Sequence, residues 1–292
     1  IHSGDSACVI PPYKSNASIL DEMEQAAWNI SRELDVQGFL NIQFAVKDDE
    51  LFIIEVNPRA SRTVPFLSKV TGVDLVDAAV KVWDGEDLII QKLCDSTGIG
   101  RGECITGWAV KEAVFSFDRF LGQDPILGPE MKSTGEAAGT GDTFGEAFAK
   151  ASLGAGEVLP PQGQVFISVK DSDKDNLPQI AQHLIDQGFT LVATRGTQRC
   201  LEKAGVPCDK ISKVNEGRPD ISDMVKNDQI DLIINTTEGR KSIADSALIR
   251  RLALQKKICY TTTLAGGEAI AIAITQGQGD RVRRLQDIHA AL

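Results

Sequence analysis

The run Gly154-Ala155-Gly156-Glu157-Val158-Leu159-Pro160-Pro161-Gln162-Gly163 constrains the fold more than any other feature of this chain. Neither a helix nor a central strand persists through two consecutive prolines flanked by glycines. The 292 residues are therefore read as two domains, 1–153 and 164–292, with a linker at 154–163. Charge changes at nearly the same place. Residues 1–160 hold 13 Lys and Arg against 25 Asp and Glu, whereas 161–292 hold 18 against 16. The second domain suits an anionic ligand better. A net charge of −10 argues against nucleic acid as a partner.

No apolar run approaches the ~20 residues of a membrane helix, so no membrane is expected as a partner. Residues 1–6 lack both a basic and an apolar stretch, so no signal peptide is expected. A start at Ile1 and not at Met reads as a fragment or a processed product. Cys8, Cys94, Cys104, Cys200, Cys208 and Cys259 form no C-x-x-C pair, and the chain has three His. Zinc is not expected, and the thiols read as reduced residues of a cytoplasmic protein.

In the first domain, Ile19, Met23, Ala26, Ala27, Ile30 and Leu34 recur at helical spacing after Ser18, a capping residue. Two β-prone runs, 39–46 and 51–56, flank the polar Lys47-Asp48-Asp49-Glu50 and read as a hairpin. A helix over 75–82 behind Asp74, a strand over 110–116 and a helix over 144–153 capped by Thr143 complete this part. Beyond the linker, strands at 165–169, 190–193, 231–235 and 258–260, with a weaker one near 209–213, alternate with helices. Those helices are expected near 175–187, 197–204, 242–254, 267–275 and 280–290. That alternation predicts a parallel sheet with crossover helices, where ligands bind beyond the carboxyl ends of the strands.

Two constellations bear on chemistry. On the hairpin, Glu55 and Asn57 share a face. With a three-residue turn at Asp48–Glu50, Gln43 stands opposite Glu55, and a shift of one residue breaks this. Three oxygen donors on one face suit a hard cation, and Arg59 and Arg62 follow as forks for a phosphate. The pattern alone also fits a surface hairpin with polar outward positions. In the second domain, Lys174, Thr194, Thr197, Lys213, Asn235, Thr236, Thr237 and Ser246 sit at or near strand ends that lead into helices. Backbone N–H groups there can hold an anion. Singly, Thr194, Thr237 and Asp245 also fit plain helix caps and turns. Trp28, Trp83 and Trp108 read as packing residues, Arg281, Arg283 and Arg284 as a solvated helix face, and Asp48–Glu50 as a solvated turn and not a calcium loop.

The run F-I-I-E-V-N-P-R-A-S-R-T-V-P-F-L-S-K resembles the C-terminal part of an ATP-grasp domain. Together with H-S-G-D-S-A-C-V-I-P-P-Y, L-G-P-E-M-K-S-T-G-E and I-I-N-T-T-E-G-R, in that order, it resembles the carbamoyl-phosphate synthase large-subunit family along essentially the whole chain. The resemblance implies an α/β and α+β fold: a partial ATP-grasp lobe, an antiparallel sheet with helices, then a parallel-sheet methylglyoxal-synthase-like α/β domain. It implies ATP with Mg2+ or Mn2+, and K+, as cofactors. It implies that Gln43 and Glu55 contact metal and ATP, that Asn57 is a further metal ligand, and that Ile1, His2 and Ser3 touch the nucleotide. Arg59 and Arg62 then meet the transferred phosphate and the carbamate. The eight residues of the second constellation match a pocket for UMP, shared with IMP. Asp5, Glu112 and Thr262 match positions associated with ornithine, although Phe115 replaces a smaller aliphatic residue nearby. Implied partners are the N-terminal part of the large subunit and a glutaminase small subunit, serving arginine and pyrimidine biosynthesis in the cytoplasm. The nucleotide-covering lobe of an ATP-grasp site precedes the segment matched, so no ATP turnover is expected of this chain alone. A nucleotide-sensing module without catalysis and another ATP-grasp ligase, such as a biotin-carboxylase-like protein, are the alternatives. Catalysis as a methylglyoxal synthase is disfavoured, because His183 falls inside a helix and His289 near the end.

Overall fold

A computed structural model describes residues 1–87, 105–120, 122–214, 216–277, 282 and 284–290. Cys94, Cys104, Arg281, Arg283 and the first residues of the helix expected at 280–290 lie outside these. The chain divides into two compact units, Ser6–Lys111 with Asp280–Leu292, and Ile1–Asp5 with Glu112–Gly279. The division falls inside a strand, Trp108–Phe115, and not at 154–163. Phe148 and Leu159, before the double proline, pack on the same core as Ile270 and Ala271 after it. Residues 155–163 form turns without helix or strand, as expected, but within one unit.

In the unit built on Ser6–Lys111, strand β1 (Cys8–Ile10) pairs antiparallel with the first half of β4 (Trp108–Phe115). Helix α1 (Ala17–Glu33) starts one residue before Ser18, because Asn16 is the cap: its Oδ1 accepts from Ile19 N at 2.9 Å. Strands β2 (Asn41–Lys47) and β3 (Glu50–Asn57) form the expected hairpin. The turn has two residues and not three. Asp48 and Asp49 take φ of 53° and 59°, and Lys47 pairs with Glu50. Two consecutive left-handed residues give a turn whose twist matches the strands it joins. Helices α2 (Thr63–Thr71) and α3 (Leu75–Trp83) follow, α3 capped by Asp74, which accepts from Val76 N and Asp77 N. A small core of Phe66, Val70 and Ala109 holds α2 against the sheet. Trp108 stacks edge-on against Tyr13 at 5.3 Å, as a packing residue should. Trp28 and Trp83 differ from expectation, at 50% and 59% exposed.

Trp83 is nonetheless anchored, its Nε1 donating to Gln37 O at 3.0 Å. Gly38 beneath it has φ +96°, and a Cβ there would lie 2.6 Å from Trp83 Nε1. Gly38→Ala is expected to destabilise this unit by about 1–3 kcal/mol, from left-handed strain plus the contact. Urea unfolding followed by tryptophan fluorescence checks this; an unchanged midpoint contradicts it.

In the unit built on Glu112–Gly279, β5 (Ser133–Gly141) lies under helix α4 (Phe144–Gly154), which Thr143 caps by accepting from Glu146 N. A parallel five-stranded sheet has the order β10-β9-β6-β7-β8. Its strands are β6 (Gln164–Ser168), β7 (Thr190–Thr194), β8 (Asp209–Ile211), β9 (Leu232–Asn235) and β10 (Cys259–Thr261). Helices α5 (Leu177–Asp186), α6 (Arg195–Lys203), α7 (Ile221–Lys226), α8 (Gly239–Asp245), α9 (Ala247–Lys256) and α10 (Leu264–Gln276) connect and follow them. The single helix expected over 242–254 is broken at Ser246, which ends α8 and begins α9. The last described element, α11 (Leu285–His289), belongs to the other unit. Alternation sorts the core into two layers. Val165, Ile167, Leu191, Ala193, Leu232 and Ile234 face α5, α6 and α10, while Phe166, Val192 and Ile233 face α7 and α9. Strand order reverses between β6 and β9, so their carboxyl ends flank a crevice suited to a ligand.

Among the described residues, Cys8, Cys200, Cys208 and Cys259 are thiols. Burial, aided by Asp209, pushes the Cys208 thiol up to about 12, and burial raises Cys259 as well. Such thiols are unreactive packing groups. No helix is long and apolar enough to cross a membrane among the described residues.

Candidate functional sites

On the hairpin, Gln43 does stand opposite Glu55, and Asn41 opposite Asn57, but by another route than a three-residue turn. A regular two-residue turn would set Gln43 against Ile54. The register shifts between Gln43 and Phe44, where Phe44 pairs with Ile53 and Ile54 is the extra residue. This β-bulge restores the pairing that the two-residue turn would otherwise lose. Gln43, Glu55 and Asn57 therefore share a face, with Asn41, which sequence reasoning missed because the register was needed to find it.

Glu55 is exposed; Gln43 and Asn57 are half-buried. Asn57 Nδ2 is buried without a hydrogen-bond partner, so its amide is held where a further group can meet it. Asn57 O accepts from Arg59 N at 2.8 Å, which turns the chain out of the strand. Arg59 is exposed, its Nη1 donating to Ala60 O at 3.2 Å, and Arg62 is exposed just before α2. Among the described residues no group of three or more His, Cys, Asp or Glu could hold a metal. A cation here would rely on one carboxylate and the amide oxygens. That donor set fits a hard ion such as Mg2+ or Mn2+ that keeps phosphate oxygens and water in its shell.

Ile1, His2 and Ser3 belong to the other compact unit. His2 is not frayed: its N donates to Gly128 O at 2.9 Å and its Nδ1 accepts from Gly4 N at 3.0 Å. Asp5, buried, accepts from Lys132 N and Ser133 N. Burial raises its pKa, but these bonds outweigh it and hold the carboxyl below its ordinary 3.8. Its contribution to stability is thus complete above about pH 4 and falls away as acid protonates it. Glu112 lies near β10, since its charge helps to raise the Cys259 thiol. Thr262 is exposed, one residue beyond the last paired position of β10.

The other constellation gathers at the carboxyl ends of the parallel strands. Thr194, Ser168 and Asn235 end β7, β6 and β9 on one face, and Ser168 pairs in register with Asn235. Thr194 occupies the cap position of α6, yet its hydroxyl meets Ser168 Oγ at 3.1 Å and no amide of the helix. The first-turn N–H groups of α6 are therefore left without a side-chain cap. Lys174 Nζ lies over this turn, 3.3 Å from where a Cβ on Gly196 would be, and pairs with Asp171. Thr197 Oγ1 accepts from Val169 N at 3.1 Å and Thr236 Oγ1 from Lys170 N at 3.0 Å. These two hydroxyls shape the loop after β6. Thr237 is half-buried, Lys213 exposed and Ser246 buried between α8 and α9. An open groove of about 740 Å³ runs along α6, lined by Asp171, Lys174, Gly196, Arg199 and Lys203; Thr194, Asn235 and Thr236 do not line it. Ser168 was missed in the sequence because it fell inside the strand expected over 165–169, which in fact ends on it.

An oxygen-bearing antiparallel hairpin of ATP-grasp type and a parallel sheet with an anion-friendly crevice define the class of protein. Comparison with known proteins agrees. Residues 1–91 match the carbamoyl-phosphate synthase L chain ATP binding domain, and 176–262 match the MGS-like domain. The chain is 53% identical over 292 residues to the carbamoyl phosphate synthase large chain of Pseudomonas aeruginosa, and 55% over 293 to that of Pseudomonas syringae pv. tomato. It is 49% identical over 296 residues to that of Halomonas eurihalina. Each match covers 100% of this chain and 27% of the relative. A crystal structure of methylglyoxal synthase from Elizabethkingia anophelis NUHP1 aligns at TM-score 0.33 and 22% identity, covering 39% of this chain and 79% of that one. Over its whole length the chain matches the C-terminal ATP-grasp and methylglyoxal-synthase-like region of carbamoyl-phosphate synthase large chains, and it spans about a quarter of their length.

Proposed function

We propose that this chain supplies the metal-binding half of the site at which ATP phosphorylates carbamate to carbamoyl phosphate, together with the allosteric domain that regulates it. The observation that carries the first part is the bulged register placing Gln43, Glu55 and Asn57 on one face. Arg59 and Arg62 follow directly. A carbamate oxygen bonds to the γ-phosphorus as the bond to ADP breaks. Glu55, Gln43 and Asn57 would hold a divalent cation, which when bound would supply charge neutralisation at the phosphates. Arg59 and Arg62 orient the phosphate and the carbamate. The N-terminal part of a large subunit closes the site, and a glutaminase small subunit supplies ammonia, with K+ as a further ion, in the cytoplasm. Ile1, His2 and Ser3 contribute to the nucleotide contact.

In the parallel-sheet domain, over 164–292 after the linker 154–163, the reading is a UMP pocket shared with IMP. Lys174, Thr194, Thr197, Lys213, Asn235, Thr236, Thr237 and Ser246 form it. The uncapped start of α6 under Lys174 supports an anionic ligand. Asp5, Glu112 and Thr262 mark an ornithine site. Thr262→Ala is expected to abolish any ornithine effect while sparing UMP affinity, and an unchanged ornithine response would refute the placement.

Exposure of Glu55, Arg59 and Arg62 favours a second reading for the chain by itself, a nucleotide sensor without catalysis, because exposed charges bind weakly through screening. Calorimetric titration with UMP, IMP and Mg-ATP separates the two. Binding of UMP or IMP with little for Mg-ATP supports the sensor; tight Mg-ATP binding supports a self-sufficient ATP site; silence to UMP and IMP overturns the pocket.

A further inference from the structure

Arg250 on α9 is 4% exposed. Its Nε donates to Asp124 Oδ1 at 2.6 Å, its Nη2 to Asp124 Oδ2, and Nη2 also to Ile243 O at 2.8 Å. Asp124 lies in the loop before β5, outside both family-matched segments, 1–91 and 176–262. Tyr260 on β10 packs against the core that α9 covers, and the charge of Arg250 reaches its hydroxyl, opposing the rise in pKa that burial causes. That hydroxyl in turn accepts from Asn235 Nδ2 at 3.1 Å. Asn235 is 3% exposed and ends β9 at the crevice. Two hydrogen-bonded pairs, Asp124 with Arg250 and Tyr260 with Asn235, thus stand end to end between a loop and a pocket residue, joined by the charge of Arg250 at the Tyr260 hydroxyl. With Nδ2 committed to Tyr260, the amide of Asn235 has one orientation. A planar Arg locked in a fork by Asp124 keeps its charge fixed beside the Tyr260 hydroxyl in turn.

We propose that Asp124 is a positioning residue for the nucleotide pocket, acting through Arg250 and Tyr260 on the side-chain amide of Asn235. The proposal rests on the nucleotide reading of that pocket. It makes the loop at 124 a place from which nucleotide affinity is tuned without contact with the ligand.

The test combines side-chain amide NMR with calorimetry on the whole chain. The Asn235 NH2 pair is assigned by its loss in Asn235→Asp. Asp124→Asn and Tyr260→Phe should each move that pair and raise the UMP Kd about tenfold, the loss of one oriented hydrogen bond. Asp124→Glu should restore both readouts in part, which a merely structural role does not require. Tyr260→Phe removes one oxygen and keeps the ring, so it guards against a folding defect in Asp124→Asn. An unmoved Asn235 pair, or an unchanged Kd in both variants of a chain that binds UMP, overturns the proposal alone. A parent chain that binds neither UMP nor IMP overturns the pocket reading, and the proposal with it.

Discussion

Asp124→Ala is expected to destabilise the unit containing the parallel sheet by about 3 kcal/mol, which for a unit of this size lowers Tm by roughly 6–12 °C. Arg250 would keep its charge in a 4% exposed position, with the Ile243 carbonyl as its hydrogen-bond partner among the described residues. Removing one partner of a buried pair leaves the other desolvated and uncompensated, and this is costlier than the net worth of the pair. Asp124 has a side chain 30% exposed, so the effect belongs at the low end of the range for buried pairs. The double variant Asp124→Ala with Arg250→Met should regain most of the loss, because it removes the stranded charge. Differential scanning calorimetry of the four chains gives the comparison. A double variant no better than Asp124→Ala would mean that the residue matters for packing and not for charge.

The second large effect concerns chemistry. In a complete carbamoyl-phosphate synthase containing this segment, Glu55→Gln is expected to lower carbamoyl phosphate formation on the order of 10²–10³-fold. The substitution keeps size and an oxygen donor and removes only charge. Glu55 is the sole carboxylate beside Gln43 and Asn57 on its face up to the bulge, so no neighbour replaces it. Steady-state assays at saturating ATP and raised Mg2+ should show the defect in kcat. A defect confined to KM for ATP, and recovered by excess metal, would assign Glu55 to ground-state binding.

Much of the parallel sheet was legible in the sequence because its strands are short apolar runs broken by turn residues, and its helices carry clear apolar stripes. β5 was not legible. Its sequence, Ser-Thr-Gly-Glu-Ala-Ala-Gly-Thr-Gly, lacks the branched and aromatic residues that mark strands. The fold explains the choice: a Cβ on Gly139 would lie 2.2 Å from Ala147 O, so only glycine lets α4 settle on this strand. Helix α2 escaped notice because Pro65 near its start resembled a break, although proline is tolerated in a first turn. Helix α7 is six residues long, too short for periodicity to register. The hairpin site was legible in its residues but not in its geometry. Glu55 was placed opposite Gln43 on a turn that does not occur, and a bulge with no distinctive residue supplies the missing step. Hydroxyl roles at strand ends were unreadable for a related reason: Thr194, Thr197 and Thr236 differ only in which partner lies within reach.

The bulge at Ile54 does more than adjust register. It resets the phase of alternation midway along β3: Ile53 shares a side with Phe44, whereas Glu55, two residues on, shares a side with Gln43. Following the pairs, Ile42, Phe44, Val46, Leu51, Ile53 and Val56 all fall on one side of the ribbon. Asn41, Gln43, Ala45, Lys47, Glu50, Phe52, Glu55 and Asn57 fall on the other. A strictly alternating strand of this composition would have put Ile53, and not Phe52, beside Glu55. One inserted residue therefore separates a purely hydrocarbon surface from one where an aromatic ring stands among oxygen donors, a ribbon with a greasy side and a polar, donor-bearing one.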